Sequence, residues 1–430
     1  MRPGRRWGAT ALRFGCSCAG LGSFAFLAGA SAQNALEPAP LDSSETAPAP
    51  QLPQSRLMDS SVLAPPPAAS SANEPLAQLG PVTFHPHFLY RFLYAEGLPA
   101  QANEKVATAI NEIDPGIGLE LGRHWRLDYT PSLHYYSNDL LRDTTDQSVT
   151  LAGATTYEDW TFGVSQRYAE TSQPLIETGA QTDLETYTTA LNASYHFNTK
   201  TSLEMGFNQD LQFVGQNASS EQLVDSKVWS TMEWLNYQFW PKFGLALGPG
   251  GGYVSLSAGS SMSFERVQGR LTWQVADKLS LVASLGIEDW QFLDVNSPDL
   301  VNPLFGASAV YRPFGGTSLS LTASRSVMVS YIYDQVVENT GISGGIRQQL
   351  FRKLRFDLTA GYGIADYEAS AFDLRSSRED HSVSVNARLS MPFLKRGTAG
   401  VFYQANHNTS TVAQFQVSST QVGFDLGYSF

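Results

Sequence analysis

The chain has little cysteine, little charge and no long apolar run. Its two cysteines, Cys16 and Cys18, both lie within the first 32 residues, which we predict to be removed. No thiol then remains for a disulfide, a metal thiolate or a covalent nucleophile. Charged residues make up 16% of the 430 positions, whereas ordinary soluble domains carry about 25%. This deficit, with 12% aromatic residues, predicts a folded chain whose surface is partly apolar.

Residues 1–32 have the pattern of a secretory signal peptide. Four arginines and no acid precede the short apolar segment "CAGLGSFAFLAG", and the small residues Ala30, Ser31 and Ala32 predict cleavage before Gln33. The apolar segment is too short to span about 30 Å of hydrocarbon, and no later stretch is long enough for a membrane helix. An exported chain of this kind is periplasmic, secreted or a membrane β-barrel.

Charge and composition define the next segment. Removing the signal peptide takes away four of 28 basic residues and none of 40 acidic ones, so the formal net charge goes from −12 to −16. A nucleic-acid partner is not expected, because no basic field remains to neutralise phosphates. Residues 33–80 are rich in Pro, Ala and Ser without apolar periodicity, which predicts a disordered linker. A folded domain there would have too little apolar surface to offset chain entropy.

Residues 81–430 alternate between apolar and polar positions. "WRLDYTPSLHYY" (125–136) and "LRFDLTAGYGIA" (354–365) show the two-residue period clearly. About 18 such segments follow one another, which predicts an all-β fold, a transmembrane antiparallel β-barrel. A soluble sandwich or propeller is the alternative. It would not place charges in mid-strand on the second face, nor aromatic residues at so many strand ends.

Short and longer connections alternate along this region, as they do in outer-membrane barrels. We expect long loops at, among others, 95–112, 169–183 and 366–381. No connection is long enough to predict a constricting loop that folds into the lumen. An even strand number places both ends of the barrel on the periplasmic side.

The last ten residues, "QVGFDLGYSF", alternate to the final aromatic residue. They look like the β-signal that the barrel-assembly machinery reads on outer-membrane proteins. The physical basis is strand addition, in which an exposed edge pairs through its backbone. An ordinary last strand of a soluble sheet is the alternative. The predicted assembly-signal residues are Gln421, Gly423, Leu426, Tyr428 and Phe430.

No catalytic constellation emerges, so we predict no enzyme, no cofactor and no metal. His85 and His87 lie at i and i+2 of one strand and could bind a metal weakly, but no acidic or cysteine ligand is near them in sequence. The glycine-rich "GPGGGY" at 248–253 is not followed by a helix or by Lys-Ser/Thr, so we interpret it as a strand irregularity or bulge.

The polar faces of the strands should line the lumen. They either pair with one another to rigidify the barrel or line a water-filled pore, and a barrel of about 18 strands is too wide for side chains alone to fill. Three arginines on successive strands near the C-terminus predict a ladder facing acids, as in porin eyelets. The pore-lining candidates are Arg91, Arg126, Asp128, Glu204, Asp210, Arg270, Arg347, Arg355, Asp357, Arg388 and Asp425. We expect Asp425 to lie near Arg91 across the seam between the first and last strands.

The segment from Asn111 to Gly153 resembles the start of a family of outer-membrane β-barrels described as porin-like. The likeness rests on Pro115–Gly116, the Gly122–Arg123 turn, Leu127–Tyr129 and Tyr135–Tyr136, and continues more weakly to the end. Some members are associated with exopolysaccharide or exosortase systems. The resemblance implies an outer-membrane barrel and suggests envelope polysaccharide transport.

These observations together predict a passive pore or exporter in the cell outer membrane. Its expected surroundings are the lipid bilayer, an outer leaflet of lipopolysaccharide type, the barrel-assembly machinery, and polar solutes or polysaccharide. A structural or adhesion barrel without transport, and a membrane enzyme with a rim active site, remain as alternatives.

Overall fold

The computed structural model describes residues 77–101, 104–215, 223–293, 299–331, 335–351, 353–369 and 378–430. The predicted signal peptide and most of the predicted linker lie outside these residues. The strands are β1 (Ala77–Leu79), β2 (Val82–Gln101), β3 (Glu104–Leu121), β4 (Trp125–Tyr136), β5 (Thr144–Tyr157), β6 (Trp160–Leu175), β7 (Ala180–His196), β8 (Thr201–Val214), β9 (Ser226–Trp240), β10 (Phe243–Leu256), β11 (Met262–Ala276), β12 (Leu279–Phe292), β13 (Leu300–Phe314), β14 (Thr317–Val329), β15 (Gln335–Leu350), β16 (Leu354–Ala369), β17 (Arg378–Phe393), β18 (Gly397–Ser410) and β19 (Val417–Ser429), with one 3-10 turn at Ala413–Phe415.

Strands β2 to β19 form a closed barrel. Each pairs antiparallel with the next, and β19 pairs with β2 so that Asp425 lies opposite Arg91. The prediction of an antiparallel barrel of about 18 strands is therefore confirmed. Closure gives most mid-strand backbone groups a partner on a neighbouring strand, which is how a β structure satisfies its hydrogen bonds without an exposed edge. No helix in the described residues is long and apolar enough to cross a membrane.

Alternation decides which face each side chain takes. On β12 and β13, Leu285, Ile287 and Val301 point outward and are 71%, 61% and 61% exposed. Glu288 and Trp290 on β12 have the opposite parity, so they point inward, and both are buried. A band of exposed apolar side chains outside and polar side chains inside is the pattern of a barrel that sits in lipid.

The two ends of the barrel differ. At the turn end, all connections are short and aromatic rings cluster outside, with ring centroids 5.4 Å apart for Trp240 and Phe243 and 4.9 Å apart for Tyr195 and Phe197. Both described chain ends are also here. The turns at this end span 122–124, 158–159, 197–200, 241–242, 277–278, 315–316, 351–353 and 394–396. This rim corresponds to the aromatic girdle at one membrane interface.

Two of the predicted long loops are strands. Residues 95–112 belong to the β2–β3 hairpin and residues 169–183 belong largely to the β6–β7 hairpin. Both hairpins extend the wall at the loop end, where their inward faces are buried by packing rather than exposed to water.

The short strand β1 covers part of the seam. It lies in the last residues of the predicted linker and pairs with β2 from Ala77 opposite Phe84 to Leu79 opposite Val82. β3 occupies one edge of β2. On the other edge, β19 pairs with β2 and ends where the Phe430 amide donates to the Pro86 carbonyl at 2.9 Å, and β1 pairs with the residues of β2 beyond that point. An edge that would otherwise be open is thus covered.

The β14–β15 hairpin leaves the barrel wall at the loop end. β13 pairs with β14 only as far as Phe305 opposite Arg325, whereas β14 and β15 stay paired as far as Val329 opposite Val336. The buried Val336 packs with Phe264 and Trp290, which point inward from β11 and β12. This contact requires the upper part of the β14–β15 hairpin to lean into the lumen.

Candidate functional site

The predicted pore-lining residues all lie on the inward face of the barrel, because each has the strand parity opposite to the exposed apolar residues. The structure divides them into two kinds. Some form buried ion pairs in the wall at the seam, and others are partly exposed to the lumen.

The buried group lies on β2, β3, β17 and β19. Arg91 Nη1 donates to Glu112 Oε2 at 2.9 Å, and Arg388 Nη2 donates to Asp425 Oδ1 at 2.5 Å. All four side chains are less than 8% exposed. His134 adds a third basic group, 4.0 Å from Glu112. The two pairs lie on either side of the closing seam between β19 and β2. Because they are buried in the wall, they contribute little to a solute path.

Gly400 allows one of these pairs to form. Arg388 and Asp425 lie on β17 and β19, with β18 between them, and Gly400 is the residue opposite Asp425. A Cβ at Gly400 would lie 2.9 Å from Arg388 Nη2 and 3.1 Å from Asp425 Oδ2. The missing side chain therefore provides the space for the guanidinium to cross a strand.

The partly exposed group occurs at two places. Arg347 Nε donates to Asp357 Oδ1 at 2.7 Å, with side chains 42% and 26% exposed. On the opposite sector, Arg270 donates to Glu204 at 2.8 Å and lies 4.5 Å from the centre of the Trp234 ring. These are the charged pairs that a solute in the lumen would meet.

The predicted arginine ladder is thus split. Arg347 faces the lumen, and Arg388 is committed to Asp425. Arg355 lies opposite Gln349 and Ser390, two residues nearer the turn end than Asp357. The remaining candidates Asp210, Asp128 and Arg126 also face inward; Gln212 donates to Asp210 at 3.3 Å, and Thr130 donates to Asp128 at 3.0 Å.

A constriction crosses the loop end of the barrel. Every residue from Gln173 to Ala180, at the tip of the β6–β7 hairpin, is buried. Ile176 packs in one apolar cluster with Leu98 and Ile110 on β2 and β3 and with Phe402 on β18. A tip rising into solvent would be exposed, so this one folds inward over the lumen. The expectation that no connection constricts the lumen is wrong.

Glu177 attaches the tip to the far side of the mouth. Its Oε1 accepts hydrogen bonds from the Ser330 hydroxyl at 2.6 Å and from the Tyr331 amide at 2.9 Å, both in the β14–β15 connection. Its backbone carbonyl accepts from Arg378 Nη1 at 3.4 Å. We call Glu177, Ser330, Tyr331 and Arg378 the mouth clasp. It joins two hairpins that both lean inward.

Arg378 is held rigidly in this clasp. Its guanidinium donates to Asp380 at 2.6 Å and lies 4.2 Å from the ring centre of Tyr367 and 3.4 Å from that of Phe415. Cation–π contacts of this kind fix a side chain in place and strengthen where water is excluded. Glu177 and Arg378 could not be identified from the sequence, because both lie in segments predicted to be loops.

A chamber of about 340 Å³ lies beneath the tip. Ile176 and Glu177 form part of its roof, and inward side chains of β8, β9 and β15 to β18 line its wall. Amides and hydroxyls such as Asn208, Ser230 and Asn339 share this lining with apolar side chains such as Phe264 and Trp290. The chamber is therefore amphipathic and not purely polar.

Other sequence features have structural roles. "GPGGGY" lies inside β10 without a bulge, where a Cβ at Gly252 would lie 2.4 Å from the Phe264 ring. Gly252 therefore makes room for inward aromatic packing. The register shows no bulge here, but the β9–β10 pairing is interrupted at Gly248 and Pro249, so the predicted irregularity is present as a gap in the ladder. His87 lies 3.0 Å from the Thr130 hydroxyl. Among the described residues no group of three or more potential ligands is arranged to hold a metal. At the turn end, Lys242 lowers the pKa of Asp277 by a hydrogen bond and by its charge.

Comparison with known proteins gives structural neighbours only. No protein-family model matches the chain, and no curated protein sequence matches it. Among solved structures, Pseudomonas aeruginosa OccK2 (OpdF) is similar at 12% identity and a TM-score of 0.46, covering 81% of this chain and 98% of its own. Acinetobacter baumannii OccAB2 is similar at 10% identity, with the same score and coverage. The siderophore receptor PirA from Acinetobacter baumannii follows at 7% identity and 0.45, covering 80% of each chain.

One of these neighbours is a siderophore receptor by its own description, and the closed antiparallel barrel of this chain is established by its own strand pairing. At such identities and scores, the likeness carries no information about a solute.

Proposed function

We propose that the protein is an outer-membrane pore for small polar solutes whose outer mouth is narrowed by the β6–β7 and β14–β15 hairpins. The observation that supports this most directly is the partly exposed Arg347–Asp357 pair on the inner wall of a closed barrel. A barrel this wide is not filled by its wall side chains, so charged pairs that are part exposed inside it meet water. Charged groups on a hydrated lumen wall set ion and solute selectivity.

The mouth clasp makes the pore a restricted one. A solute entering from the loop end must pass the buried tip, while the chamber below it accepts only small molecules. Transport of envelope polysaccharide, which the sequence resemblance suggests, would require the β6–β7 tip to move out of the lumen while the polymer passes. Small polar solutes are therefore the primary proposal.

Insertion into the outer membrane would use the last strand. Tyr428 and Phe430 form an edge-to-face pair with ring centroids 4.8 Å apart at the turn end. Gly423 and Gln421 lie further along β19, on its inward face, while Leu426 points outward. This geometry supports recognition by the barrel-assembly machinery through strand addition and favours a periplasmic position for the turn end.

Conductance across a planar lipid bilayer tests the proposal. The folded barrel should give small ohmic steps that grow when salt is raised on both sides. A correctly folded barrel that never conducts would support the structural or adhesion alternative instead.

A further inference from the structure

The outer surface carries one polar patch inside the apolar band. Gln166 on β6, Thr189 on β7 and Gln209 on β8 are register partners and point outward. The Thr189 hydroxyl donates to Gln166 Oε1 at 2.6 Å and lies 3.2 Å from Gln209 Oε1. Glu233 on β9 is a second outward polar residue of this sector, opposite Met205 and four residues nearer the turn end than Trp229, the register partner of Gln209. We call the row of three and Glu233 together the outer polar patch.

Glu233 also points outward. It follows the parity of Leu235 and Tyr237, which are 54% and 43% exposed, and it lies opposite Met205. Its chain neighbour Trp234 points inward, where it stacks with Arg270. Among the residues that the structure describes, the Glu233 carboxylate has no hydrogen-bond or ion-pair partner.

The patch lies within the apolar band and not at its edge. Toward the turn end the row Gln166–Thr189–Gln209 is followed by Leu191 and Phe207, and Phe207 separates Gln209 from Glu233. Toward the loop end the row is followed by the ring pair Tyr168–Tyr187, whose centroids are 5.0 Å apart. On the other side of the barrel, the outward positions of β12 are Leu281, Ala283, Leu285 and Ile287, all apolar. At this level of the band, the outward face of β12 is therefore apolar, whereas the outward faces of β6 to β9 carry polar groups.

Such a surface is unfavourable against acyl chains. A charged residue facing lipid destabilises a barrel, and an amide without partners in hydrocarbon loses the hydrogen bonds it had in water. The same groups complement one another between two molecules. Glu233 offers only acceptors, and the amides of Gln166 and Gln209 each carry two N–H donors.

We propose that the outer polar patch is the contact surface for a second copy of this chain. In a symmetric pair, the Glu233 carboxylate of one copy would accept from an outward amide of the other, and both would be withdrawn from lipid. This inference concerns the outside of the barrel and does not depend on the proposed pore function.

The test measures the number of chains per particle by native mass spectrometry of the full mature barrel in detergent micelles. The wild type should be oligomeric. The double variant Glu233→Leu/Gln209→Leu should remain folded, shown by heat-modifiable migration on gels, and associate about tenfold more weakly. The matched control Leu358→Ala/Val385→Ala, on outward positions of β16 and β17, should leave the oligomer intact.

Two results would overturn the proposal. One is a wild-type barrel that is a single copy at every protein concentration. The other is a double variant that stays as oligomeric as the wild type. If the wild type were a single copy, replacing Glu233 with leucine should instead raise the unfolding temperature, as expected for a carboxylate that faces lipid.

Discussion

The sharpest perturbation of the mouth is Glu177→Ala. In the folded protein this carboxylate accepts two short hydrogen bonds, from the Ser330 hydroxyl and the Tyr331 amide, and the residue is 8% exposed. Removing it frees the β6–β7 tip from the β14–β15 connection, while the apolar contacts of Ile176 with β2 and β3 remain. We expect the closed mouth to become less stable and the barrel to stay folded.

The size of the effect follows from the two hydrogen bonds that the substitution removes. A hydrogen bond to a charged group contributes about 1.5 to 3 kcal/mol, so two of them contribute at least about 3 kcal/mol to the closed state. A change of about 3 kcal/mol shifts a closed-to-open ratio roughly 150-fold. A mouth that rarely leaves its narrowed state in the wild type should then spend a large part of the recording in a wider state of higher conductance.

Single-channel recording measures this directly. The open fraction of Glu177→Ala should exceed that of the wild type by about one to two orders of magnitude, as that free-energy difference requires. Glu185→Ala is the matched control, since Glu185 lies on the outward face of the same hairpin. An unchanged open fraction in Glu177→Ala, with a folded barrel, would refute the clasp. So would an equal effect of Glu185→Ala.

Four further predictions concern the barrel wall and the last strand. Charge reversal of Arg347, which faces the lumen, should make the pore more selective for cations, measured as a shift of the reversal potential in a salt gradient. In contrast, Arg388→Glu leaves acidic groups buried without a basic partner and should lower the free energy of unfolding in urea by about 3 to 5 kcal/mol. Unchanged selectivity in the first variant would assign Arg347 to structural pairing. Gly400→Ala should lower the unfolding temperature, whereas Gly344→Ala, whose added Cβ has no neighbour closer than 3.8 Å, should be tolerated; equal effects would contradict the crossing geometry. Phe430→Ala should reduce the amount of barrel inserted in the outer membrane, and normal insertion would contradict the assembly-signal hypothesis.

The barrel itself could be predicted because each strand turns a polar face to the interior of the barrel and an apolar face to lipid. That asymmetry produces the two-residue period from Trp125 to Tyr136 and from Leu354 onward. The seam register could also be predicted in part, since Asp425 and Arg91 have the same inward parity.

The inward fold of the mouth could not be predicted, because it removes the difference between the two faces that makes the other strands recognisable. Where the β6–β7 hairpin folds inward, both of its faces are buried, so the segment from Gln173 to Ala180 no longer alternates. With Pro174 and Gly179 in it, the segment has the composition of a loop. The Arg388–Asp425 pair could not be predicted either, because it depends on the absence of a side chain at Gly400 on the strand between them.

The central claim is a hydrated lumen narrowed at one end by the β6–β7 tip. It is tested most directly by replacing residues 175–180 with a two-residue Asn-Gly turn and comparing single-channel conductance with the wild type. We expect a barrel that inserts normally and passes a larger, ohmic current than the wild type. A folded, inserted barrel that remains insulating after the tip is removed would contradict that claim.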